Sequence, residues 1–249
     1  MTGRAAPRST ITEYYSRRPS VMTTALLVFP VFAIYQIGVP FSPVLNGADL
    51  VTTLMIGLVE RSLALYLGLN ALLVVAFAGV IVAGRRSGGF DPRVFAPLLL
   101  ESTLYALSMG ALIVFVMREL LGLGRLLAAP PLAAAAAQLG LWDRVVVSCG
   151  AGFHEELLFR LVLFGGLALA LERGLRTRRW VAIGVAAVCS ALLFSLVHHL
   201  GPLGEPISAG PLLYRFFAGL FFVALFKLRN FAVAVYTHTI YDVFVLVFG

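Results

Sequence analysis

Seven runs of mainly apolar residues divide this chain, at roughly 21–39, 62–83, 94–117, 145–171, 180–199, 211–228 and 231–248. An α-helix crossing the hydrocarbon core of a bilayer needs about 20 such residues. The runs therefore predict an all-α, polytopic transmembrane helix bundle. Composition agrees: 60% of the residues are hydrophobic and 12% are charged, against about 45–50% and about 25% in soluble domains. A length of 249 residues fits one bundle rather than several domains.

The expected organisation is a polar, basic tail over 1–20 and a single transmembrane domain over 21–249. The stretch 48–59 is too short to span alone and reads as a half-helix leading into the second run. The stretch 126–142 fits a loop, a re-entrant helix or an eighth crossing, so seven or eight helices are expected. Basic residues gather in alternate connections. One set carries Arg4, Arg8, Arg17, Arg18, Arg85, Arg86, Arg93, Arg173, Arg176, Arg178, Arg179, Lys227 and Arg229; the other carries Arg61, Arg118, Arg125 and Arg144. By the positive-inside rule the N-terminus is cytoplasmic. The net charge of +7 thus reflects membrane topology, and no nucleic-acid partner is expected. Cys149 and Cys189 lie inside apolar runs without metal-type spacing, as small packing residues do. The first run is followed by no signal-peptide cleavage site, so it is expected to be retained.

An ionisable side chain costs roughly 2.5–3.5 kcal/mol at the centre of a membrane helix. Those within the runs are few: Glu101, His154, Glu155, Glu156, Arg160, His198, His199, Arg215, His238 and Asp242. Most fall after residue 150, and all four histidines are among them. Glu156 and Arg160 are four residues apart, share a helix face and can neutralise each other. Glu155 is rotated about 100° from Glu156. A carboxylate taken out of water suits proton exchange near neutral pH. Phe194 and His198 share a second face, and His238 and Asp242 a third, where Asp242 can orient the imidazole or donate a hydrogen bond. Each set could instead be a polar clamp between helices. Three polar faces on three helices fit best around one wet intramembrane cavity. A carboxylate base, two imidazoles and a second acid suit activation of a water and stabilisation of an oxyanion. No cofactor motif occurs; zinc on Glu155, His198 and His238 is the chemical rival.

Together these residues resemble the CPBP family, also called Abi or type II CAAX prenyl protease-like intramembrane proteases. Its motifs EExxxR, FxxxH and HxxxN/D read here as Glu155-Glu156 to Arg160, Phe194 to His198 and His238 to Asp242, in that order, within 145–248. The resemblance implies a glutamic intramembrane endopeptidase. Glu155 with His198 would activate the hydrolytic water, and His238 with Asp242 would stabilise the oxyanion. Glu156, Arg160 and Phe194 would support the site. The implied substrate is a membrane-anchored protein or peptide processed at its C-terminus, and the implied location is a bacterial inner membrane. Eukaryotic members that process prenylated proteins carry Asn where this chain has Asp242. Two other roles stay open: a C-terminal sorting-signal peptidase or transpeptidase, and a non-catalytic membrane scaffold or immunity-type protein. A transporter with a proton relay is disfavoured, because no matched pair of broken helices is visible.

Overall fold

The structure, a computed structural model, describes residues 14–15, 19–41, 62–87, 89–127, 139–200 and 206–248. The proposed half-helix at 48–59 and the greater part of 1–20 and 126–142 lie outside the described residues. Among the described residues there are seven long helices and no strands. They are α1 (Val21–Gly38), α2 (Leu63–Gly84), α3 (Phe95–Phe115), α4 (residues 141–174), α5 (Arg179–Val197), α6 (Ala209–Leu228) and α7 (Phe231–Phe248). Six of these, with the short turns continuing α1 and α3, are long and apolar enough to cross a membrane. The remaining one, α4, is the helix that carries His154, Glu155, Glu156 and Arg160.

Local chemistry sets the helix ends. The Ser20 side chain accepts the Thr23 N–H at 3.1 Å to start α1, and Ser62 accepts the Leu65 N–H at 3.2 Å to start α2. Both are N-cap hydrogen bonds to otherwise orphaned amides. Pro92 opens a short 3₁₀ turn that leads into α3. The α4 backbone widens to the i→i−5 pattern over Ala151–Gly165, a geometry that gathers at functional sites.

α7 is the hub. Eight consecutive residues, Ala232 to Thr239, are buried, so every side of the helix meets protein. It packs against α1, α3, α4 and α6. At the other extreme is α2, where Tyr66 is the buried side chain among the described residues. An apolar helix with so little of itself inside the protein faces lipid. Tyr66 fastens it by donating to the Gln36 carbonyl at 2.7 Å.

One end of the bundle is closed by a polar bracket. Glu101 of α3 accepts hydrogen bonds from Tyr14, which precedes α1, and from Arg229 in the α6–α7 turn. The Tyr15 ring lies 4.6 Å from the Arg229 guanidinium. Burial opposes the Arg229 charge, but the Glu101 carboxylate outweighs it and holds the guanidinium above its ordinary pKa. Glu101, a candidate on sequence grounds, is thus part of this bracket.

Apolar burial drives little helix association in lipid, so close packing of small residues carries it. Two glycines just before the charged part of α4 show this. A methyl group on Gly150 would come 2.3 Å from the Tyr35 ring of α1. One on Gly152 would come 2.0 Å from Thr239 Oγ1 and 2.9 Å from the Thr239 backbone nitrogen of α7. Gly152→Ala is therefore expected to push α4 off α7 and destabilise the fold by about 1–3 kcal/mol. Unfolding in detergent measures it, and Thr239→Ala in the same chain should restore part of the loss.

Candidate active site

Residues from three separated motifs meet where α4, α5 and α7 approach. Arg160 is wholly buried, with Nε 3.1 Å from Glu156 Oε2. Its guanidinium carbon stands 4.2 Å from the centre of the Phe194 ring and 5.0 Å from that of Phe222. These are cation–π distances. Phe194 thus holds the arginine as well as preceding His198. The acid-first spacing along α4 puts Glu156 and Arg160 side by side.

The other Glu156 oxygen, Oε1, binds His238 Nδ1 at 2.8 Å. A carboxylate oxygen accepts, so Nδ1 is the donor, and the ring is turned with Nε2 away from Glu156. That nitrogen stands 3.8 Å from Glu155 Oε2 and 3.5 Å from Asp242 Oδ2. The Phe222 ring stacks on the imidazole at 4.5 Å between centroids and 19° between planes. His238 is therefore fixed by a hydrogen bond at one end and an aromatic face along its side.

His198 forms the C-cap of α5. Its Nδ1 donates to the Phe194 carbonyl at 2.7 Å. In the neutral ring this makes Nε2 the acceptor. Nε2 faces Glu155 Oε2 at 3.9 Å. Both imidazoles thus turn Nε2 toward one oxygen of Glu155, at separations beyond direct hydrogen bonding.

The structure brings Glu155, Glu156, Arg160, Phe194, His198, His238 and Asp242 into one group. His154 points elsewhere: its ring packs edge-on to Tyr35 at 4.7 Å, and Nδ1 bonds the Gly150 carbonyl at 3.1 Å. Two features were absent from the sequence reading. Phe222 forms part of the site, although nothing in the many phenylalanines of α6 singles it out. Glu156, on another helix, is the Nδ1 partner of His238, and Asp242 stands 3.5 Å from Nε2. Among the described residues no group of three or more His, Cys, Asp or Glu is arranged to hold a metal ion.

No curated protein and no solved structure matches the chain. The family model described as "Rce1-like: Type II CAAX prenyl endopeptidase Rce1-like" matches residues 137–244. That interval contains all three motifs and every residue of the cluster. The chain is thus an integral, multi-pass membrane protein whose residues 137–244 match the Rce1-like family of type II CAAX prenyl endopeptidases.

Proposed function

We propose that the chain is a glutamic intramembrane endopeptidase that hydrolyses a peptide bond near the C-terminus of a membrane-anchored protein. The observation that carries this is the approach of two imidazole Nε2 atoms to Glu155 Oε2, at 3.9 Å for His198 and 3.8 Å for His238. One water bridges groups at such spacings. Glu155 takes a proton from that water while its oxygen attacks the scissile carbonyl carbon. The same proton then passes to the leaving amine, so Glu155 ends each cycle as it began. His198 accepts a hydrogen bond from the water at Nε2 and aims it.

His238 meets the oxyanion. It donates to Glu156 from Nδ1, so it must also be protonated at Nε2 to donate there. Glu156 and Asp242 supply the counter-charge that keeps such an imidazolium in an apolar surrounding. In this reading an ionised Asp242 serves His238 rather than the oxyanion itself. Arg160 neutralises the Glu156 charge that remains, and Phe194 and Phe222 keep the assembly rigid. The excess of basic residues in alternate connections supports a cytoplasmic N-terminus, and the reading takes the membrane to be a bacterial inner membrane.

The test compares C-termini of membrane proteins from cells carrying the native chain and cells carrying His198→Ala. Shortened termini are expected only with the native chain, and they identify the substrate. Matching sets of termini in both cell types would remove the protease reading.

A further inference from the structure

Away from the catalytic cluster, a cavity of about 380 Å³ opens where the end of α4, the start of α5 and the α6–α7 turn meet. Its size lies at the lower end of small-ligand pockets, about 300–1,000 Å³. The floor is apolar, made by Phe164, Ile183, Phe226 and Phe231. The rest of the lining is charged, with Arg179 and Lys227 and with Glu172 as the single acid. Arg229 also reaches it but is engaged by Glu101. The α4–α5 connection beside it adds Arg173, Arg176 and Arg178, all exposed. Six basic residues against Glu172 and Glu101 leave this end of the bundle strongly positive.

Arg179 and Lys227 lie at the first and next-to-last positions of two membrane-spanning helices. That is headgroup depth. A site that is cationic in part and hydrocarbon-like at the floor, at that depth, matches an anionic amphiphile supplied by the bilayer. A free anion would leave the phenylalanine floor uncovered. We propose that the cavity binds an anionic glycerophospholipid. Its phosphate sits between Arg179 and Lys227, and its glycerol and first methylenes lie over Phe164, Ile183 and Phe226. Basic clefts between membrane helices take such headgroups, with each Lys or Arg near an anionic surface contributing about fivefold in affinity. The consequence reaches α7, because the cavity wall includes Asn230, whose side chain accepts the Val233 N–H at 3.0 Å in the first turn of that helix.

The test needs no cleavage assay. Delipidated protein in a neutral detergent is titrated with dioleoylphosphatidylglycerol, dioleoylphosphatidylcholine or inorganic phosphate. Native mass spectrometry reads occupancy and thermal unfolding reads stabilisation. The anionic phosphatidylglycerol is expected to bind and stabilise, and the zwitterionic choline lipid and the phosphate are not. Arg179→Gln with Lys227→Gln should weaken binding about thirtyfold from the two lost charges. Arg179→Gln alone, at an exposed position, should weaken it about fivefold. Arg118→Gln, in an exposed pair with Glu119, should leave it unchanged. Equal binding of the choline lipid, phosphate binding as tight as the lipid, or native affinity in either cavity variant would each overturn the proposal.

Discussion

Glu155→Gln is expected to lower the turnover of a cleavable membrane substrate by about 10²- to 10⁴-fold, the range for removing a general base. Gln keeps the shape of the side chain and loses its ability to take a proton. The substitution leaves the pairings of Glu156 with Arg160 and with His238 in place, because none of them passes through Glu155. Stability should therefore change little while kcat collapses and KM holds. Purified native and variant chains, compared in the same detergent or vesicle, measure both quantities. Turnover within tenfold of native, in a folded variant, would dismiss Glu155 as the base. It would turn attention to Glu156 and His238 as a structural clamp alone.

Arg160→Met should do the opposite and strike the fold first. The substitution keeps a flexible apolar stem over Phe194 and Phe222 and removes the charge. Glu156 is then left with His238 as its remaining polar partner in a site where its side chain has no solvent exposure. Breaking one side of a buried ion pair costs about 3–5 kcal/mol. The unfolding transition in detergent should fall accordingly, and activity with it. Combining Arg160→Met with Glu156→Gln removes the stranded charge and should recover a large part of the stability. It should not recover activity, since His238 loses its anionic anchor. Arg160→Lys should not substitute well, because an ammonium neither stacks flat on Phe194 nor presents the guanidinium fork. If Arg160→Met proved as stable as the native chain, the bracing role of the Glu156–Arg160 pair would be wrong.

What the sequence disclosed followed from two periodicities. Helix length in lipid is set by bilayer thickness, so the spans were readable almost to the residue: 21–39 was expected and Val21–Gly38 is found. A repeat of 3.6 residues places i and i+4 on one face, so each motif could be assigned a face. Contacts between helices obey neither rule, because they depend on rotation and crossing. Phe222 on His238, Thr239 over Gly152 and Tyr35 over Gly150 were invisible for that reason.

The position of α7 at the centre of the bundle also bears on biogenesis. His238 follows Glu156 by 82 residues, or roughly 4–16 s of synthesis at about 5–20 residues per second. For that interval α4 must reside in the membrane without the imidazole that later binds it. The partner it does have throughout is Arg160, made one helical turn after Glu156. A carboxylate that carries its own counter-ion along the same helix enters lipid as a neutral unit, whereas one dependent on α7 would wait there as a bare charge. The helix that delivers the second imidazole then completes the cluster from within, so the half-made chain holds only part of the polar cluster.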